Sequence, residues 1–163
     1  MNGNLYHLFQ SRFPKDRGRV FIELADGHTY SYADLEDISG RYACLLGELG
    51  VEKGDRVAVQ VEKSPEAVFL YLACLRAGAI YLPLNPAYTQ SEVGYFLGDA
   101  EPRVVVCQTE TEKAVTEVAR KAGVAHLLTL GQNNDGSLPT RARVLAPLDG
   151  RCAAEPGRVG AKL

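Results

Sequence analysis

At 163 residues, with a formal net charge of −2, 46 % apolar and 23 % charged side chains, this chain has the composition of one ordinary globular domain. A charge so near zero gives no electrostatic case for nucleic acid or an anionic membrane. No apolar run approaches the roughly 18–20 residues of a membrane span, and the start, MNGNLYHLFQSRF, lacks the cationic end and apolar core of a secretory signal. A chain of this length buries about 70 % of its unfolded surface in a single core.

Residues 20–24 and 28–31 are β-prone and flank Ala25-Asp26-Gly27, which predicts a hairpin. Ser31 then suits a helix N-cap, with Asp34 completing a capping box. Leu35, Ile38, Tyr42, Leu45, Leu46 and Leu49 recur at three- and four-residue steps, one apolar stripe that Gly50 closes. A strand is expected over residues 56–61. Ser64-Pro65-Glu66 reads as a helix start: a cap, a proline whose missing N–H costs nothing in the first turn, and an acid at the positive end of the dipole. That helix runs to about Ala77, apolar nearly all round, and Gly78 fits the left-handed position after it.

Residues 79–82 are short and apolar, which predicts a covered strand; Pro83 and Pro86 forbid its continuation as a paired interior strand. Thr89 and Glu92 make a second capping box, opening a helix whose core side is Val93, Phe96 and Leu97. A strand over 103–107 follows. The next helix, 111–122, is amphipathic, with Ala114, Val115, Val118 and Ala119 inside and Lys113, Glu117 and Lys121 as a charged outer row. Gly123 stops it, and 125–130 is the next strand. Alternating helices and near-continuous apolar strands define an α/β fold: a mainly parallel sheet with helices on both faces, preceded by an N-terminal β-hairpin. Residues 131–163 hold five Gly, three Pro, five Lys or Arg and three acids without periodicity, and are expected to be mostly loop or disordered. The expected division is therefore residues 1–130 as a folded unit and 131–163 as a tail.

The cysteines, Cys44, Cys74, Cys107 and Cys152, form no C-x-x-C and have no histidines spaced for zinc. They are expected to be reduced, which points to a cytoplasmic location. His7, His28 and His126 are isolated from one another. No G-x-x-x-x-G-K-[ST] or strand-borne G-x-G-x-x-G is present; Pro156-Gly157-Arg158-Val159-Gly160 has no hydroxyl residues and no strand–loop–helix frame. The adjacent acids Glu36–Asp37 and the pair Asp99 and Glu101 fall on surface-prone segments. Glu62 and Lys63 follow a strand and come nearest to a catalytic constellation at the usual ligand edge of an open α/β sheet. Tyr81, Tyr88 and Tyr95 read as rings packed over a sheet edge, and Arg76 as a cation near the last carbonyls of its helix. No catalytic, cofactor-binding or metal residue is assigned.

Three blocks together carry a resemblance: TYSYADLE, GVEKGDRVAVQVEKSPEAVFLYLACLRAGAIYLPLNPAYT and YFLGDAEPRVVVC. In this order and spacing they resemble the N-terminal part of the adenylate-forming acyl-CoA synthetases, over residues 5–107. The wording of QVEKSPEA and LPLNPAYT is most similar to the malonyl-CoA synthetases. The resemblance implies the N-terminal subdomain of the adenylate-forming ligase fold. For an intact enzyme it implies ATP, Mg²⁺ and CoA as cofactors and a small carboxylate, malonate or methylmalonate, as substrate, converted to acyl-CoA, AMP and pyrophosphate. The family's phosphate-cradling loop, its adenylate-binding acids and its C-terminal lysine come further along than this chain extends, and residues 152–163 do not resemble the strand that leads to that loop in the family. The expectation is thus a fragment, inactive alone, that needs no cofactor. The alternative is a non-catalytic α/β binding module or folded remnant. Oligomeric state is not legible.

Overall fold

The computed structural model describes residues 4–145. Its order is α1 (Leu5–Ser11), β1 (Val20–Glu23), β2 (Thr29–Ser31), α2 (Tyr32–Glu48), β3 (Arg56–Gln60), α3 (Pro65–Ala77), β4 (Ile80–Pro83), α4 (Gln90–Ala100), β5 (Val104–Cys107), α5 (Glu112–Lys121), β6 (His126–Thr129) and α6 (Ser137–Ala142). The predicted hairpin forms as an antiparallel pair, β1 with β2, separate from the main sheet. The other four strands join in one wholly parallel sheet in the order β4-β3-β5-β6.

Period-two alternation sorts the strand side chains into two cores. Val57, Val59, Val104, Val106 and Leu128 face a layer of α1, α2, α3 and α6, where Leu45, Leu46, Phe69 and Leu70 are buried. Ala58, Val105 and Cys107 face α4 and α5 through Val93, Leu97, Val115 and Ala119. The α4–α5 contact is tight because Gly94 has no side chain: a Cβ there would lie 2.9 Å from Val118 Cγ1.

The helix starts form by the local chemistry read from the sequence. Ser31 Oγ accepts from Asp34 N at 3.1 Å while the Asp34 carboxylate accepts from Ser31 N at 2.7 Å. Thr89 and Glu92 repeat the pattern, and Ser64 caps α3 with Pro65 in its first turn. Gly78 takes the left-handed conformation at φ 71° and ends α3. The bonds from Ser31 hold the Asp34 carboxyl below its usual range. Because the folded state lowers that pKa, this contribution is full above the unfolded value of about 3.9 and is lost as pH falls through the folded one. Ser31→Ala should therefore cost about 0.5–2 kcal/mol at neutral pH. The loss should shrink in urea titrations carried to more acid pH; an unchanged difference at all pH values would show that the cap is not the cause.

Several positions depart from expectation. Among the described residues β4 is an edge strand rather than a covered one: Ile80 is 48 % exposed. Pro83 stays in register opposite Val59, tolerated because the amide it lacks would point away from β3. Ala114 is exposed, since α5 buries only the stripe of Val115 and Ala119. Two short helices, α1 and α6, stand where none was predicted, the second within the 131–163 segment; residues 146–163 lie outside the described residues. Cys74 and Cys107 are free and buried, whereas Cys44 is disulfide-bonded, against the expectation of a reduced thiol.

Candidate functional site

In an open parallel sheet the ligand edge lies beyond the C-terminal ends of the strands. Here those ends are Gln60, Pro83, Cys107 and Thr129. Gln60 is 5 % exposed and its Nε2 donates to Asn85 O at 3.0 Å and Tyr88 O at 3.4 Å, which ties down the loop after β4. Thr129 and Ser137 clamp the loop between β6 and α6: Thr129 N donates to Ser137 Oγ and Ser137 N to Thr129 Oγ1, both at 2.9 Å. The Cys107 thiol is pushed up to about 12 by burial, far from a reactive thiolate. These polar groups brace the loops that would carry a site. Sequence reasoning passed over Gln60, Thr129 and Ser137 because each is an ordinary polar residue outside any motif.

The residues weighed as catalytic are dispersed. Glu62 and Lys63 are exposed beyond β3. The neighbours Glu36 and Asp37 serve different partners: Glu36 accepts from Gln10 Nε2 at 2.9 Å and meets Arg17 Nε at 3.3 Å, while Asp37 holds Arg41 through two contacts of 2.8 and 3.1 Å. Asp99 and Glu101 are exposed at the end of α4. Tyr88 stacks on Phe96 at 5.1 Å with Tyr95 edge-on to the same ring. Tyr81 lies on the other face, edge-on to Tyr71 at 5.5 Å, and burial pushes its hydroxyl up to about 12. His7 and His28 each lie edge-on to a tyrosine, and His126 is 7 % exposed. Among the described residues no group of three or more His, Cys, Asp or Glu is placed to hold a metal ion. The Pro156–Gly160 run lies outside them.

Arg76 corrects its predicted role. Its guanidinium leaves the end of α3 and lies 4.5 Å over the Tyr6 ring, donating to Tyr6 Oη at 2.6 Å, Ser39 Oγ at 3.3 Å and Glu36 O at 3.2 Å. Asn4 instead reaches a carbonyl there, Leu75 O, through Nδ2 at 2.8 Å. Long-range partners on α1 and α2 outcompete the local carbonyls because they combine a ring face with three acceptors.

A buried acid pair of another kind sits at the start of α3. Glu66 is 2 % exposed, and Tyr30 Oη donates to its Oε1 at 2.8 Å. Burial, and then the Glu66 bond, push the Tyr30 hydroxyl up to about 12. This contact fastens the hairpin to the helical layer. Tyr30→Phe should cost about 1–3 kcal/mol, because it strands a buried acceptor rather than merely removing a bond. Chemical denaturation checks this, and a loss under about 0.3 kcal/mol would mean that water reaches Glu66.

One cavity of about 340 Å³ lies between α2 and α6, lined by apolar Ile38, Tyr42, Pro139 and Ala142 and rimmed by Arg41 and Arg143. The Arg41 guanidinium is already committed to Asp37 and to the carbonyls of Arg143 and Leu145. The cavity is a seam between helices.

The described residues form a three-layer parallel α/β unit with braced loops at its ligand edge, and comparison with known proteins shows the family it belongs to. Residues 9–150 match the family of AMP-binding enzymes, and the chain belongs to that family. The chain superposes on ATP-bound MatB from Rhodopseudomonas palustris with a TM-score of 0.87 at 43 % identity, covering 92 % of this chain and 29 % of MatB. It is 35 % identical over 141 residues to the AMB antimetabolite synthetase AmbB of Pseudomonas aeruginosa, covering 84 % of this chain and 11 % of AmbB. The oxalate–CoA ligase of Arabidopsis thaliana is 30 % identical over 117 residues, 71 % of this chain and 22 % of that ligase. The chain thus spans well under two thirds of each relative, and its fold is that of the N-terminal subdomain of the adenylate-forming ligases. No helix among the described residues is long and apolar enough to cross a membrane.

Proposed function

We propose that this chain is the N-terminal piece of an ATP-dependent acyl-CoA ligase acting on malonate or methylmalonate. In that reaction a substrate carboxylate oxygen attacks the α-phosphorus of ATP, forming an acyl-adenylate as pyrophosphate leaves. The CoA thiol then attacks the acyl carbon and AMP leaves. Mg²⁺ offsets the phosphate charge in the first step. The observation that carries the reading is the 43 % identity to ATP-bound MatB over 92 % of the chain. The malonyl-CoA-synthetase-like wording of QVEKSPEA and LPLNPAYT supports the dicarboxylate. In this reading the chain's own part is structural, with Gln60, Thr129 and Ser137 spending polar atoms on holding loops, and the triphosphate, the metal and CoA are bound by the remainder of the ligase.

The test joins this chain to the part of R. palustris MatB beyond the matched region and supplies malonate, ATP, Mg²⁺ and CoA. Malonyl-CoA with AMP, one for one, is the expected product by mass spectrometry. Formation of ADP instead, or no thioester from any small dicarboxylate, contradicts the reading. A cytoplasmic location belongs to the same proposal; the free thiols of Cys74 and Cys107 agree with it and the disulfide at Cys44 does not. Cys44 still oxidised in protein isolated from the cytoplasm with thiols trapped at lysis would count against it.

A further inference from the structure

Cys44 is buried on the side of its helix where burial is not expected. Helix α2 turns Leu35, Tyr42, Leu45, Leu46 and Leu49 toward the core, and the opposite row runs through Asp37, Arg41, Cys44 and Glu48 at three- and four-residue steps. Asp37 and Arg41 are half-buried and Glu48 is exposed, yet Cys44 is 4 % exposed. It belongs to neither of the two apolar cores, so packing against the sheet does not account for its cover.

The sulfur of Cys44 is in a disulfide. The chain holds four cysteines, and Cys74 and Cys107 are free thiols, one in each core. Elimination leaves Cys152 as the partner within the chain. The chain's course up to Leu145 puts that partner within reach. Arg41 Nη1 donates to the carbonyls of Arg143 and Leu145, which holds the chain beyond α6 beside α2, one turn before Cys44. Three residues of helix rise only about 4.5 Å. The six residues 146–151 can extend over more than about 20 Å, so the closure asks for no distortion.

We propose that residues 146–151 lie across the outer row of α2 and are clasped there by a Cys44–Cys152 disulfide, which covers Cys44. Cys152 falls just past the matched residues 9–150, so the clasp is a feature of this chain rather than of its family. It forms by exchange with a low-molecular-weight disulfide, oxidised glutathione. The glutathione S–S bond breaks, the Cys44–Cys152 bond forms, and the two thiol protons leave on two reduced glutathiones. Dithiothreitol runs the exchange backward. The clasp closes the long loop between positions 44 and 152, and so restricts the unfolded chain. The proposal is independent of the ligase reaction and its substrate.

The test equilibrates the folded 163-residue chain with oxidised glutathione, blocks free thiols with N-ethylmaleimide and digests with trypsin without reduction. Mass spectrometry should find the peptide of residues 42–53 joined to that of residues 152–158, at the summed mass less two hydrogens. Dithiothreitol should separate them, and Cys74 and Cys107 should carry the blocking group. In guanidinium the same treatment should give mixed pairs, because chain statistics favour the shorter loops. The oxidised chain should melt roughly 5–15 °C above the reduced one, a difference that Cys152→Ser removes. Cys44 blocked by the maleimide, or paired with Cys74 or Cys107, overturns the proposal. So does a disulfide between two molecules, seen as a dimer band that reduction removes. An equal share of the Cys44–Cys152 pair in guanidinium, or one Tm in both redox states, overturns it as well, because the folded surface then neither directs the bond nor gains from it.

Discussion

Phe69→Ala is expected to lower the unfolding free energy by about 3–5 kcal/mol, the range for emptying a buried aromatic site. Phe69 is 0 % exposed at the centre of α3, the helix that packs on α2 and lies over Val57 and Val59. Its ring meets Tyr30 edge-on at 5.3 Å, so the same side chain helps hold the hairpin against the helical layer. Truncation therefore opens a cavity between the sheet, α2 and β2, and loosens the Tyr30–Glu66 bond as well. Domains of this size hold only about 5–15 kcal/mol in total, so the variant should lie near its unfolding midpoint in mild urea. A loss under about 1 kcal/mol would show that α3 is not the central support of the fold. Leu72, 6 % exposed on the same helix, should follow with a smaller loss.

The isolated 163-residue chain is expected to show no exchange of pyrophosphate into ATP, however high the malonate concentration. Charge stabilisation by preorganised donors supplies most of the barrier reduction in such chemistry. Among the described residues three polar side chains at the ligand edge are turned to structural use: Gln60 to Asn85 O and Tyr88 O, and Thr129 and Ser137 to each other. Exchange above buffer background that a substitution within this chain abolishes would reveal a site that this account lacks.

The parts of the fold legible in the sequence are those whose causes are local. Ser31 with Asp34, Ser64 with Pro65, and Thr89 with Glu92 announce their helices because cap and acceptor lie three residues apart. The parallel sheet was readable from the continuous apolar runs between those helices, and the family from three blocks in order. What escaped depends on distant partners. Helix α1 has seven residues and is held by Asn4 on Leu75 O and by Arg76 over Tyr6, contacts spanning about seventy positions. Helix α6 contains a proline and stands in a Gly/Pro-rich stretch; the Thr129–Ser137 clamp holds its start. The edge position of β4 was hidden because an apolar tetrapeptide reads alike at the centre of a sheet and at its edge. No motif led to the ligand edge, since bracing residues such as Gln60 have no sequence signature.

The central claim, that this is the N-terminal piece of an adenylate-forming ligase, is tested most directly by radiolabelled pyrophosphate exchange into ATP without CoA. The chain joined to the MatB remainder and the chain alone are measured side by side, each with and without malonate. The account predicts malonate-dependent exchange in the joined protein only, because adenylate formation precedes the thiol step and needs the remainder's binding groups held on this chain's scaffold. Exchange by the chain alone, or a folded joined protein with no malonate-dependent exchange, would contradict it.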